Sequence, residues 1–275
     1  MLNTTNSVPV LTPEQVQQLL VKPVIDQSIA AQVSTVVITS SKTTRFPMLT
    51  KDPVAAWTAE GAEITPSDPE FAELEVTPTK VAGLVIATNE MMRDSSAEAV
   101  NQIGEGLVRD ITRAIDAAFF GALDAPAPQG LNTIEATEIN GNTANLDWAE
   151  EAIAAAANNG ATVTGFVANP ADILTLAKLK ESKDSNRGLL EPNPTVPTGR
   201  LVAGVPLHST TAVPQGTVWA IPNAFSNVVV RESATVVAST EQFFTSDRTA
   251  VRGTMRVGFG FTHPTGIVKV TLTAA

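Results

Sequence analysis

The sequence predicts an α+β chain in which one long helix braces a β-rich body and an extended hairpin leaves it. Three observations predict this. Residues 96–120 carry an apolar stripe at helical spacing, residues 201–275 read as short strands punctuated by Pro and Gly, and residues 52–86 read as a long acidic ribbon. A ribbon that long and polar cannot bury itself in its own domain. It needs another surface to lie on, which points to assembly rather than chemistry.

Composition sets the bounds. A chain of 275 residues allows one large or two medium domains. Hydrophobic residues are 43% and charged residues 17%, enough for a substantial core. Aromatics are 5% with no Tyr, and Ala, Val and Thr fill the gap. The net charge of −10 argues against tight, sequence-reading nucleic-acid binding, which needs concentrated Lys and Arg. The absence of Cys excludes disulfides, thiolate metal sites and cysteine nucleophiles. The N-terminus lacks a basic segment followed by an apolar one, so it is no secretory signal. No apolar run approaches the ~20 residues that span a bilayer.

The elements follow in order. Residues 12–20 read as a short helix, with Thr12 as N-cap, Pro13 at the first helical position and Gln15 at the third. The β-branched run 33–39 reads as a strand, and the polar stretch 40–53 as extended or turning. The hairpin then has one arm over 55–64, a tip at 65–69 and a return arm over 71–86. On the return arm Phe71, Glu73 and Glu75 share one face, and Ala72, Leu74 and Val76 the other. From Asp52 to Glu75 there are seven acids and no base.

The helix after it is the clearest element. Ser95 and Glu98 form a capping box, and Val100, Ile103, Leu107, Ile111, Ile115 and Phe119 form one stripe. At ~1.5 Å per residue it is roughly 37 Å long, enough to brace a domain. A second helix spans 148–158 and stops at Asn159-Gly160; Gly165 to Ala168 is a strand end. Asn169, Pro170 and Asp172 open a third helix as cap, first residue and dipole partner. Residues 181–200 read as a loop. In the last β stretch Val251, Met255, Val257, Phe259 and Phe261 share one parity, while Arg248, Arg252 and Arg256 share the other. A strand puts the apolar set inward and the three Arg outward.

Sites for chemistry are scarce. His208 and His263 stand alone, without acids at ligand spacing, and read as structural; no metal or cofactor is expected. Gly258 and Gly260 alternate inside a strand, which suits a bulge or close packing better than a nucleotide loop. No Walker sequence and no G-x-S-x-G elbow occurs, which counts against a hydrolase or lyase on an α/β scaffold. The acidic ribbon alone could be edge protection, and the Arg face alone could be solvated. Together they are complementary surfaces of the kind that fix partner and register.

The segments WTAEGAEITPSDPEF, LVIATNEMMRDSS, FVANPADILTLAKLK, GRLVAGVPLHSTTAVPQGT and RVGFGFTHPTGIVKV, in this order, resemble the major capsid proteins of tailed bacteriophages with the Hong Kong 97 phage fold. The resemblance covers about residues 30–275. It implies an N-terminal arm (1–51), an E-loop hairpin (52–83) and a P domain (84–145) with its spine helix at about 96–120. It further implies a mainly A-domain segment (146–224) and a β-rich return that includes P-domain strands (225–275). The implied function is structural, not enzymatic: a major capsid protein forming hexamers and pentamers of an icosahedral shell around phage double-stranded DNA. Such a protein belongs to the virion and assembles in the bacterial cytoplasm. The alternative is an encapsulin-like compartment enclosing a cargo enzyme. A tail or decoration protein would lack the spine helix.

In relatives each E-loop lies over the P domain of a neighbour. The expected inter-subunit contacts are therefore Trp57, Glu60, Glu63, Asp68, Glu70, Glu73 and Glu75 from one subunit and Arg248, Arg252 and Arg256 from the next. Other partners the resemblance implies are scaffold, portal and cement proteins, and non-specific contact with packaged DNA; no membrane is involved. Some relatives weld subunits by an isopeptide bond between an E-loop Lys and a P-domain Asn, aided by a Glu. Here residues 52–79 hold no Lys, and Asp247 and Thr254 best match the other two positions, so no covalent chainmail is expected. Many relatives also carry a long N-terminal scaffolding segment, whereas this chain starts almost at the arm. Either a separate scaffold helps, or the protein assembles unaided.

Overall fold

A computed structural model describes residues 22–51, 53, 55–61, 63, 66–68, 70–88, 97–182, 185–190, 193, 198–239 and 246–273. The chain builds α1 (Lys22–Gln27), α2 (Ile29–Gln32), β1 (Thr35–Thr39), β2 (Thr44–Lys51), β3 (Glu70–Val76), β4 (Thr79–Thr88) and α3 (Ala97–Phe120). There follow β5 (Thr137–Asn142), α4 (Asp147–Asn158), β6 (Gly165–Ala168), α5 (Pro170–Ala177), β7 (Leu201–Val202), β8 (Val205–Ser209), β9 (Thr217–Ile221), β10 (Ser226–Ser239), β11 (Arg248–Phe261) and β12 (Val268–Thr273). The predicted 12–20 helix, Ser95 and the side chains of Glu98, Val100 and Ile103 lie outside what is described.

Three sheets organise these strands. One has the order β1-β10-β11-β4, the second β5-β12-β9-β6-β8-β7, and β2 with β3 form a separate ribbon. The first sheet is the bed of the long helix α3. Leu107, Ile111, Ile115 and Phe119 of the predicted stripe are all buried, in one core with Met255, Val257, Phe259 and Phe261. Each such side chain contributes roughly 1.5–3 kcal/mol by leaving water. Phe119 meets Phe120 and Phe259 edge-on, with ring centroids 4.9 and 5.0 Å apart. Such geometry adds about 0.5–1.5 kcal/mol per pair.

The alternation along β11 is as expected. Arg248, Arg252 and Arg256 are exposed, while Met255, Val257, Phe259 and Phe261 are buried and Val251 is half-buried. Gly83 and Gly253 are cross-strand partners on the helix side of β4 and β11, and Leu107 rests on both. A methyl group at Gly253 would come within 2.9 Å of Leu107 Cδ2. These glycines let a large helix residue approach the sheet backbone.

The second sheet packs against α4 and α5. In α4, Trp148, Ala149, Ala152 and Ala156 are buried, and Trp148 meets Phe166 of β6 edge-on at 5.5 Å. The helix stops at Asn159 and at Gly160, whose φ of +72° favours glycine. In α5 the Asn169 side chain accepts from the Ala171 N–H at 3.0 Å with Pro170 in the first turn, as its sequence predicts. Asp172 also ties α5 to the turn before β9, because its Oδ2 accepts from the Gly216 N–H at 2.8 Å.

The hairpin differs from expectation in where its outgoing arm lies. β3 pairs antiparallel with β2, so the outgoing arm is Thr44–Lys51 and not 55–64, whose described residues form no strand. The return arm also ends early. It breaks at Thr77-Pro78, and β4 then joins the first sheet. Pro47 within β2 is tolerated because the ribbon has two strands and both are edges.

Candidate assembly interface

Two surfaces look outward from this frame: the ribbon and the open face of the first sheet. The ribbon is anchored at its root by packing. On the outer face of β11, Gly258 and Gly260 lie under the greasy side of the ribbon. A methyl on Gly258 would meet Val76 Cγ1 at 2.8 Å, and one on Gly260 would meet Val76 Cγ2 at 2.9 Å and Leu74 Cδ2 at 3.4 Å. The alternating glycines are thus a landing pad for the ribbon, in line with the close-packing expectation.

Beyond its root the ribbon is bare. Phe71, Glu73 and Glu75 are exposed on one face of β3, while Ala72 and Leu74 are half-buried and Val76 is buried. Arg45 on β2 faces Glu75 in register and bridges to Glu73 at 3.6 Å. Both partners are about two-thirds exposed, so the pair contributes at most ~1 kcal/mol. Glu70 stands opposite Lys51 in the strand register. The outgoing arm thus carries cations beside the acids along the paired strands of the ribbon. Glu60, Glu63 and Asp68 lie further out and are exposed, and Trp57 is fully exposed at 106%.

The open sheet face carries more than the three predicted Arg. Cross-strand register sets Arg256 directly between Lys80 of β4 and Arg231 of β10. Like charges directly opposite in a sheet repel, by roughly 0.2–1 kcal/mol per pair. An acidic partner would relieve that repulsion. Arg252 lies between Leu84, 59% exposed, and Val237, 42% exposed, with Ile86 nearby at 44%. The face is therefore both cationic and apolar. Among the described residues, no ion pair joins Glu73 or Glu75 to Arg248, Arg252 or Arg256 of the same chain. Lys80, Arg231, Leu84 and Ile86 are additions to the predicted set. Only strand register brings them beside the Arg row, and register is set by the distant strands β4 and β10.

The titratable groups argue for structure rather than catalysis. Asp116 of α3 is buried; its carboxylate accepts from the Ser28 hydroxyl at 2.6 Å and from the Ile29 and Ala30 N–H groups at 3.2 and 3.1 Å. Burial pushes its pKa above the usual carboxylate value, and these three hydrogen bonds pull against that. Burial likewise lowers the pKa of His208. His263 Nε2 donates to the Asn159 carbonyl at 2.7 Å and packs on Phe225. Among the described residues no group of three His, Asp or Glu could hold a metal ion, and no helix is long and apolar enough to cross a membrane.

A groove opens at the edge of the first sheet. It has a volume of about 390 Å³ and is walled by Ile115 and Ala118 of α3, by Leu123, Pro126 and Pro128 of the loop after it, and by Phe259. Lys80 and Asp124 also line it.

An outreaching ribbon and a like-charged, partly greasy sheet face define a subunit made for contact with other subunits. Residues 9–272 match the model of the phage capsid family, and the chain belongs to that family. Solved structures agree on the fold. A chain from Mycobacterium phage Adephagia superposes with a TM-score of 0.72 at 18% identity, covering 90% of this chain and 91% of that one. One from Microbacterium phage Oxtober96 gives 0.72 at 16% identity, covering 90% and 91%. The capsid of a native GTA particle, computed with C5 symmetry, gives 0.70 at 16% identity, covering 89% of each chain. No curated protein sequence matches. The fold is the Hong Kong 97 type, and the protein is a capsid shell protein of the virion. The encapsulin-like alternative is not favoured.

Proposed function

We propose that this protein forms hexamers and pentamers that close into an icosahedral shell around phage double-stranded DNA, with a geometric role and no catalysis. The observation that carries this is the ribbon: it leaves its own fold at Gly258 and Gly260 and ends in exposed acids and an exposed Trp. In this reading β2 and β3 with their tip are the E-loop. α3 and the first sheet are the P domain, and the second sheet with α4 and α5 is the A domain. The boundary at 145 then moves forward, because β5 pairs with β12 in the second sheet.

Each ribbon lies over the P domain of a neighbour. Trp57, Glu60, Glu63, Asp68, Glu70, Glu73 and Glu75 face that neighbour's Arg248, Arg252 and Arg256, with Lys80 and Arg231 extending the basic row. The repulsion within that row supports an acidic partner. The contact is non-covalent: although β2 carries Lys51, the positions matched to the Asn and Glu of an isopeptide bond are Asp247 and Thr254. Scaffold, portal and cement proteins are the further partners, assembly takes place in the bacterial cytoplasm, and packaged DNA is touched without sequence preference. Negative-stain electron microscopy of the purified protein, with and without phage scaffold, tests the proposal. Closed shells of tens of nanometres are expected; a monomer under both conditions would refute it.

A further inference from the structure

We propose that Trp57 anchors the ribbon of one subunit in the apolar groove beside the end of α3 in the next. This contact presupposes the shell assembly proposed above and names the residue and pocket that hold it.

Trp57 is fully solvent-exposed in its own chain, at 106%. The described residues around it, 55–61, form no strand. A Trp side chain offers roughly 150–250 Å² of mostly apolar surface, and Trp is among the residues most enriched where binding energy concentrates. Such a residue at the end of an outreaching ribbon calls for a pocket on another surface.

The groove has the right size and chemistry. Its volume of about 390 Å³ falls within the roughly 300–1,000 Å³ of small-molecule pockets and has room for an indole. Its walls are aliphatic and aromatic, and Pro126 and Pro128 stiffen one side. The subunit's own Trp57 cannot fill it. The ribbon is rooted over Gly258 and Gly260 on the outer face of β11, whereas the groove residue Phe259 faces the helix side. The eight residues of β2 then carry the chain roughly 26 Å outward. Folding back would break the pairing of β2 with β3. The occupant is therefore a second copy.

Charge selects the same partner. The segment from Asp52 to Glu75 has no base, and Lys80 at the groove heads the row that continues to Arg256 and Arg231. Asp124 at the groove has the sign of the ribbon. The ribbon acids Glu60 and Glu63 must therefore pass on the Lys80 side, which aligns the ribbon with the basic row.

The chain has no Cys, so engineered cross-links are unambiguous. The variant Thr58→Cys with Asp124→Cys keeps Trp57 and the apolar walls of the groove and changes only the acid at its rim. Treated with a short bismaleimide after shell assembly, it should give covalent multimers on a denaturing gel. Neither single variant should, nor should the pair Thr58→Cys with Leu84→Cys. A second readout uses the wild type. Trp148 and Trp219 are each 1% exposed, so Trp57 alone should respond to acrylamide, and its quenching should fall several-fold when shells form. Shells without the 58–124 cross-link, shells linked through position 84 instead, or shells with unchanged quenching would overturn the anchor and leave the shell proposal standing. A chain that forms no shells under either assembly condition would overturn both.

Discussion

The Asp116 carboxylate accepts a 2.6 Å hydrogen bond from the Ser28 hydroxyl, tying the last turns of α3 to the start of α2. The same carboxylate takes the N–H groups of Ile29 and Ala30. Replacing it with Ala leaves buried donors without an acceptor, at roughly 1–3 kcal/mol each. Asp116→Ala should therefore destabilise the dissociated subunit by about 3 kcal/mol in urea denaturation, and protease should reach residues 22–32 faster. Unchanged stability would mean that water replaces the carboxylate.

The pH response of Asp116 runs opposite to that of a typical salt-bridged acid. Burial raises its pKa in the folded state above the ordinary value of 3.8, so the folded chain holds this proton more tightly than the unfolded chain. Its contribution is fully present below 3.8 and is lost as pH rises through the folded value. The stability difference between wild type and Asp116→Asn should therefore move against wild type with rising pH in that window. A flat difference would count against the burial-dominated shift.

Gly83 and Gly253 should couple energetically to Leu107. Gly253→Ala overpacks the helix contact and should cost about 1–3 kcal/mol. In the Leu107→Ala background the added methyl has room, so a double-mutant cycle should show a coupling of about 1 kcal/mol or more. Strict additivity would mean that the helix shifts instead.

At the ribbon root, a methyl on Gly258 would lie 3.2 Å from the Pro78 Cα as well as 2.8 Å from Val76. Backbone cannot rotate away, so Gly258→Ala should re-aim the ribbon. Shell yield should fall several-fold while the circular dichroism of the subunit stays native. Normal yield would show that the ribbon adjusts along its length.

Arg252→Glu reverses the centre of the basic face without touching the core. Shell formation should slow at least tenfold, and wild-type assembly should slow as ionic strength rises, because exposed charges more than about 8 Å apart are screened at physiological salt. Normal particles from Arg252→Glu would refute the acid-to-Arg contact.

What the sequence displays depends on how locally each element is encoded. The α3 stripe from Leu107 to Phe119, the Asn169 and Pro170 helix start and the Arg alternation on β11 are set by neighbours three or four residues away at most, and all are present. The outgoing arm of the ribbon escapes a local reading because Pro47 and polar flanks disguise β2, whose pairing is set by β3 on the far side of the tip. Lys80 and Arg231 join Arg256 only through register between strands far apart in sequence. Asp116 and Asp110 look alike in a string of letters, yet one is buried and the other exposed. Burial of a single acid depends on the packing of α1 and α2, which no local pattern encodes. The groove is likewise made by a loop, a helix and a strand edge together.

The strand order β1-β10-β11-β4 also has a temporal consequence. The first sheet takes its two edges from residues 35–39 and 79–88 and its centre from residues 226–261. At the ribosome's pace of roughly 5–20 residues per second, the edges wait on the order of ten seconds for the centre to emerge. Contacts so distant in sequence also close slowly. The basic face needs β11, so it does not exist until residues 248–261 have emerged. A nascent chain can expose its ribbon long before it can receive one, which delays subunit pairing on a crowded polysome until β11 has joined its sheet.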